Sequence, residues 1–175
     1  MRIQDKIIHL EKLAELSNKL KSEGKTIALV SGCYNILHSG HAVFFNQCKE
    51  FADILVVSVA TDSVISRLKG KNQPAIPEQD RLFIVAALLD VDYAVLSENE
   101  ILPGKINFDK TIRALQPDFF ILNEDDSAIK EKQELCNELG VELKFVKRVV
   151  PSPLVPISST EIINKIQKSS SFTTH

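Results

Sequence analysis

Long apolar runs, long basic runs and paired cysteines are all missing from this sequence, and each absence removes a class of function. The longest apolar stretches, such as Ile54 to Ala60, fall well short of the ~20 residues a helix needs to cross a bilayer. The opening stretch, Met1 to Leu20, mixes charged and apolar residues throughout, unlike a signal peptide. Lys and Arg number 21 against 23 Asp and Glu, a formal net charge of −2. No basic run of useful length occurs, so the chain carries no electrostatic footprint for nucleic acid. Cysteine is limited to Cys33, Cys48 and Cys136. These are odd in number, far apart and without a CxxC pair, which suggests neither a disulfide framework nor a zinc knuckle. Reduced thiols in a cytoplasmic protein are expected. No internal repeat and no break in composition marks a second domain.

What is present is an ordinary globular composition. With 175 residues, 44% hydrophobic and 25% charged, the chain fits one domain with a sizeable core. Ile7, Ile8, Leu10, Leu13, Leu16 and Leu20 recur at helical spacing, predicting an amphipathic helix over residues 5–22 that stops at Gly24. Five short runs rich in valine, isoleucine or aromatics then read as buried strands: Thr26 to Ser31, Ile54 to Ala60, Tyr93 to Leu96, Phe119 to Leu122 and Leu143 to Val146. Between them, helical patterns span about 41–51, Pro77 to Asp90, Phe108 to Leu115 and Ala128 to Leu139. Pro77 stands at a helix start and Gly140 at a C-cap. Strands alternating with helices of these lengths predict a Rossmann-like three-layer α/β/α sandwich with a five-stranded parallel sheet. The expected division is an N-terminal helical segment (1–24), a core (25–168) and a frayed polar tail (169–175).

The first run leads into Val30-Ser31-Gly32-Cys33-Tyr34-Asn35-Ile36-Leu37-His38-Ser39-Gly40-His41. Two imidazoles three apart thus sit where the next helix begins. A helix N-terminus attracts phosphate through its free N–H groups and dipole. Histidines there can donate to phosphate oxygens, and Gly40 lets the backbone approach closely. Two surface histidines, or half of a metal site, are the competing readings, the second weakened because His9 and His175 lie elsewhere.

Gly-x-Tyr-Asn-x-Leu-His-Ser-Gly-His resembles the signature of the cytidylyltransferase-like nucleotidyltransferases, whose HxGH motif follows the first strand. The resemblance implies that His38 and His41 contact the nucleotide's phosphates and stabilise the transition state at the α-phosphorus. It further implies that Gly32, Cys33, Tyr34 and Gly40 lie against the nucleotide. The family usually has Phe-Asp at Tyr34-Asn35, so the acceptor contact expected at Asn35 would be made by an amide.

Downstream come Ala60-Thr61-Asp62-Ser63, Arg67-Leu68-Lys69-Gly70-Lys71 and Pro77-Glu78-Gln79-Asp80-Arg81. They read as a loop, a basic cluster and a charged helix start. A basic loop beside the site can supply the cations that phosphate transfer requires. The series is similar to that of the heptose 1-phosphate adenylyltransferases. By that likeness Lys69 or Lys71 neutralises phosphates, Arg81 anchors the loop or touches the ligand, and Asp62 lies at the substrate.

Pro156-Ile157-Ser158-Ser159-Thr160-Glu161 reads as a capping box between Ser158 and Glu161. It also matches the family's Ile-Ser-(Ser/Thr)-Thr motif, whose hydroxyls and amides hold the β- and γ-phosphates. Ser158, Ser159 and Thr160 are accordingly expected at the triphosphate. After the fourth strand the chain has Leu122-Asn123-Glu124-Asp125-Asp126 where the family carries a glycine. Asn123 and Glu124 are expected at the nucleotide, and base and acceptor choice in this loop and in Arg148 to Pro156, which holds three prolines.

The resemblance thus covers residues 25–167 and implies one nucleotidyltransferase domain over 1–175. Such an enzyme would use Mg²⁺ with a nucleoside triphosphate, favour ATP, and take a phosphorylated acceptor such as heptose 1-phosphate, with no metal held by the protein alone. Nucleic acid and membranes are not expected partners, and a homodimer is left open. A cytidylyltransferase making a CDP-alcohol, a nucleotide-sensing module without catalysis and a metal-dependent hydrolase are the alternatives.

Overall fold

Aliphatic residues fill both faces of the short runs, and the structure turns these runs into a parallel sheet. It is a computed structural model that describes residues 1–70, 73–97, 100–102, 105–107, 109–126 and 128–170. In chain order the strands are β1 (Ile27–Gly32), β2 (Ile54–Ala60), β3 (Tyr93–Ser97), β4 (Glu100–Leu102), β5 (Lys105–Asn107), β6 (Phe119–Asn123) and β7 (Glu142–Val146). The helices are α1 (Ile3–Lys6), α2 (Leu13–Ser22), α3 (Ser39–Lys49), α4 (Asp62–Lys69), α5 (Glu78–Ala86), α6 (Asp109–Leu115), α7 (Ile129–Leu139) and α8 (Ser159–Ser170). Five strands form one sheet in the order β3-β2-β1-β6-β7, every pair parallel.

The alternation along β1 shows why its run is apolar throughout. Ala28 and Val30 face a core built with Phe45 of α3 and Leu82 and Val85 of α5. Ile27 and Leu29 face the opposite core, with Leu13 and Leu20 of α2, Ile112 and Leu115 of α6 and Cys136 of α7. A strand buried on both faces has no solvent side to carry polar residues. Cys48 and Cys136 lie in these cores as free thiols. Burial pushes both up, Cys136 to about 11, and so keeps them protonated. Among the described residues no helix is long and apolar enough to cross a membrane.

Three expectations change. The helix expected over 5–22 is broken: α1 ends at Lys6, a 3-10 turn spans Leu10–Lys12, and α2 begins at Leu13. Between them Ile7 bridges Ala94 in parallel fashion, and the Ile8 amide donates to the Ala94 carbonyl at 2.9 Å. Strand β3 is the sheet edge with open backbone groups, which this segment satisfies. Ile7 packs on one core and Ile8 on the other, a placement that a helix lying on a single face cannot reach.

The second change is α4, expected as loop and basic cluster. It is helical because Val64 and Ile65 bury one face against Ala60 and Cys33. Its first amide, at Asp62, donates to the Glu78 carboxylate at 2.7 Å. Third, β4 and β5 pair as an antiparallel ribbon that was not anticipated. The expected site residue Lys71, the helix start at Phe108 and the tail residues 171–175 lie outside the described residues.

The sheet order reverses between β1 and β6, and in such sheets the ligand crevice opens beyond the carboxyl ends of the strands at that reversal.

Candidate active site

Gly32 ends β1, and its identity is dictated by what lies above it. A Cβ built there would come within 2.8 Å of Tyr34 Cζ. The chain then turns through Tyr34 with a left-handed φ of 48°, which lays the tyrosine ring in the core beside Phe45 and edge-on to His41, centroids 5.4 Å apart. Among the described residues the Tyr34 hydroxyl has no hydrogen-bond partner, and burial pushes its pKa well above the ordinary value. Such an orphaned hydroxyl costs about 1–3 kcal/mol. Tyr34→Phe is therefore expected to stabilise the fold by about 1 kcal/mol. A lower urea midpoint for the variant would show that the hydroxyl has a partner after all.

The helix α3 opens with His38 as its N-cap. Its Nδ1 accepts a hydrogen bond from the Gly40 amide at 3.2 Å, and the Nδ1 of His41 accepts from the His38 amide at 3.3 Å. The rings lie 4.0 Å apart, centroid to centroid. A Cβ on Gly40 would lie 3.0 Å from the His38 ring, so glycine is what lets the imidazole fold over the helix end. With each Nδ1 acting as acceptor, each neutral ring carries its proton on Nε2. Burial lowers the pKa of His38, helped by Arg148 and opposed by Glu161. His41 is lowered to about 4 by burial, then by His38, Arg148 and Lys69. At neutral pH both are neutral donors.

This has a consequence for acid stability. His41 takes up its proton in the unfolded chain near pH 6.5 but in the folded one only near 4, so its stabilising contribution is complete above pH 6.5 and is lost as the pH falls toward 4. Between pH 7 and pH 5 the His41→Gln variant is expected to lose less stability than the parent, by on the order of 1–2 kcal/mol. Urea titrations at the two pH values measure this, and identical losses would contradict it.

These histidines line a cleft of about 530 Å³. Its floor is the ends of β1 and β6, with Gly32, Cys33, Tyr34, Asn35 and Asn123; its walls include Gly40, Lys69, Ser158 and Ser159. The second wall is tied to the first, since Ser159 Oγ donates to the Ile36 carbonyl at 2.9 Å. The expected capping box is present: the Ser158 amide donates to Glu161 Oε2 at 2.8 Å and the Glu161 amide to Ser158 Oγ at 3.2 Å. Ser158 Oγ in turn donates to that carboxylate at 2.9 Å. The protons of both serine hydroxyls are therefore engaged within the protein.

Four expected residues stand off the cleft lining: Asp62, Arg81, Glu124 and Thr160. Arg81 is fully buried and spends its guanidinium on the fold. It donates to the carbonyls of Ile76 (2.9 Å), Cys33 (2.6 Å) and Ala60 (2.8 Å) and to the Asp62 carboxylate (2.7 Å). Of the two roles weighed for it, the observed contacts are those of a loop anchor, and Asp62 is its partner.

The cleft also contains residues not singled out beforehand. Arg148, whose guanidinium lies 3.2 Å from Asp125, is a cation at the mouth. Val149, Val150, Leu154 and Val155 form an aliphatic strap, and Phe44 of α3 adds an aromatic surface. Asp126 lines the cleft with its carboxylate held by Lys132 at 2.7 Å. For all but Phe44, which follows the histidine motif on α3, the signal in sequence was position in two loops where the family pattern thins.

Helix N-termini converging on the reversal point of a parallel sheet are how α/β proteins hold phosphorylated ligands. The sequence profile described as cytidylyltransferase-like matches residues 29–165, and the chain belongs to that family. It is 37% identical to the bifunctional protein HldE of Helicobacter pylori (strain J99 / ATCC 700824) over 142 residues, 81% of this chain and 28% of that protein. Against the bifunctional protein HldE of Aliarcobacter butzleri (strain RM4018) it is 31% identical over 158 residues, 90% of this chain and 30% of the other. The chain thus spans less than a third of these relatives. Among solved structures, a lipopolysaccharide core biosynthesis protein from Thermoplasma volcanium GSS1 superposes with a TM-score of 0.58 at 30% identity, over 74% of this chain and 100% of that one. A pantoate-beta-alanine ligase from Francisella tularensis, complexed with beta-gamma ATP and beta-alanine, shares the fold with a TM-score of 0.58 at 20% identity, over 97% of this chain and 81% of that one.

Proposed function

We propose that this chain is a nucleotidyltransferase that moves AMP from ATP onto a sugar phosphate of the heptose 1-phosphate class and releases pyrophosphate. The observation that carries the reading is the His38–His41 pair. Backbone amides occupy both Nδ1 atoms, leaving two Nε2–H donors for an anion at the α3 terminus. Membership of the cytidylyltransferase-like family supports the reaction type. The HldE relatives, the lipopolysaccharide core protein and the Arg67-Leu68-Lys69-Gly70 series support a sugar phosphate as acceptor.

In this mechanism an acceptor phosphate oxygen attacks the α-phosphorus in line. The new P–O bond forms as the bond to the β-phosphate's bridging oxygen breaks, and pyrophosphate leaves with that electron pair. His38 and His41 donate to the oxygens of the transferring group, where negative charge is redistributed, and no covalent enzyme intermediate is needed. Lys69 and Arg148, both at the cleft, offset the charge of the triphosphate. The cleft carboxylates Asp126 and Glu161 are engaged by Lys132 and Ser158, and no group of three or more His, Cys, Asp or Glu that could hold a metal is found among the described residues. This donor set fits Mg²⁺ arriving on the polyphosphate, since that ion keeps waters and substrate oxygens as ligands. Bound in that way it would supply further charge neutralisation.

The test is pyrophosphate release in the presence of Mg²⁺, crossing ATP, CTP, GTP and UTP with heptose 1-phosphate, other sugar 1-phosphates and glycerol 3-phosphate. Release that needs ATP and a sugar 1-phosphate is the expected result. Dependence on CTP with glycerol 3-phosphate would move the product to a CDP-alcohol. Nucleotide binding with no release on any acceptor would favour a sensing module.

A further inference from the structure

Asn35 stands where the family pattern has an acidic residue, and its surroundings give that amide a task. It is 2% exposed at the cleft floor, yet its side chain faces protein. Its Oδ1 accepts from the Ala75 amide at 2.7 Å, and its Nδ2 donates to Gln73 Oε1. Both partners belong to the connection between α4 and α5. The Gln73 amide donates in turn to the Gly70 carbonyl at 3.0 Å, and Gly70 closes α4 by donating to Ser66 at 3.0 Å. Lys69 is the last residue of that helix and lines the cleft. A continuous set of hydrogen bonds therefore runs from the cleft floor to the residue beside Lys69.

We infer that Asn35 is a positioning residue whose buried amide clamps the α4–α5 connection and holds Lys69 toward a bound triphosphate. The inference rests on the proposed reading of the cleft as a triphosphate site. An exposed lysine in the last turn of a helix whose following connection is unclamped would lose side-chain and backbone entropy on meeting its ligand, and a clamp removes much of that cost beforehand. An amide suits the position because it accepts from a backbone N–H and donates to the Gln73 oxygen at once. A carboxylate could accept from both if the Gln73 amide turned over, which makes Asn35→Asp the conservative variant.

Two readouts test the clamp. Hydrogen exchange at the Ala75 amide reports it without any activity: Asn35→Ala is expected to speed that exchange at least tenfold while amides of β1 stay protected, and Asn35→Asp to restore protection. ATP affinity reports the link to Lys69. Lys69→Ala is expected to weaken binding about tenfold in the parent, as loss of a charge-assisted contact does, and by less than threefold in the Asn35→Ala background. Equal losses in both backgrounds, or an unchanged Ala75 exchange rate, would overturn the inference. If Asn35→Ala does not fold, Gln73→Ala removes half of the clamp from the loop side and is read in the same two ways. Because exchange and ATP binding need no acceptor, failure of pyrophosphate release would remove the transfer reading and leave the clamp standing.

Discussion

Replacing His41 with alanine is expected to lower pyrophosphate release by about 10²–10³-fold, the usual cost of removing one donor to transition-state charge, with the fold retained. The effect should fall on kcat more than on KM, because the imidazole is assigned to charge that is redistributed as the phosphoryl group transfers. His41 is half-buried under Tyr34, with its tautomer set by the His38 amide, so its Nε2–H is held in place before the ligand arrives. Glutamine offers an N–H from a floppier side chain and is expected to recover only part of the rate. Steady-state kinetics with saturating acceptor gives both parameters. Normal turnover by His41→Ala would remove the histidine pair from the mechanism.

The second large effect is on stability. Arg81→Ala is expected to cost about 3–5 kcal/mol, because it removes a fully buried guanidinium and leaves three carbonyls without that donor, each at a cost of about 1–3 kcal/mol. Four acceptors lose their donor together: the carbonyls of Ile76, Cys33 and Ala60, and the Asp62 carboxylate. A drop in melting temperature of roughly 10 °C follows for a chain of this length. Lysine keeps the charge but not the fork that reaches several acceptors, and should recover less than half. An Arg81→Ala protein melting within about 2 °C of the parent would show that water or a rearranged loop replaces the guanidinium. The loop after β1 carries Cys33, so the same variant is expected to loosen the cleft floor and not just the edge of the fold.

The architecture was legible because its signals are local. Short β-branched runs separated by helical periods imply a covered parallel sheet, and both cores use the residues those runs supplied. The terminal histidine pair, Gly32, Gly40 and the Ser158–Glu161 box were legible for the same reason, since each depends on neighbours within a few positions. Where the reading failed, the deciding partner lay far along the chain. Ile7 and Ile8 fit a helical period, but the open edge of β3 drew them into an extended bridge. Val64 and Ile65 made a helix of a segment whose charges suggested a loop.

Within the cleft the division is the same. The order of residues placed the groups proposed to meet phosphate at helix starts, because capping and dipole effects act within one turn. Only the tertiary structure decided which charged groups line the cleft. Arg81 and Asp62 are turned into each other 19 positions apart, Asn35 is spent on a segment 40 positions away, and Arg148 is brought to the mouth of the cleft. Side chains of one charge and similar length look alike in sequence. Burial and the nearest distant carbonyl or carboxylate determine whether each braces the fold or meets the substrate.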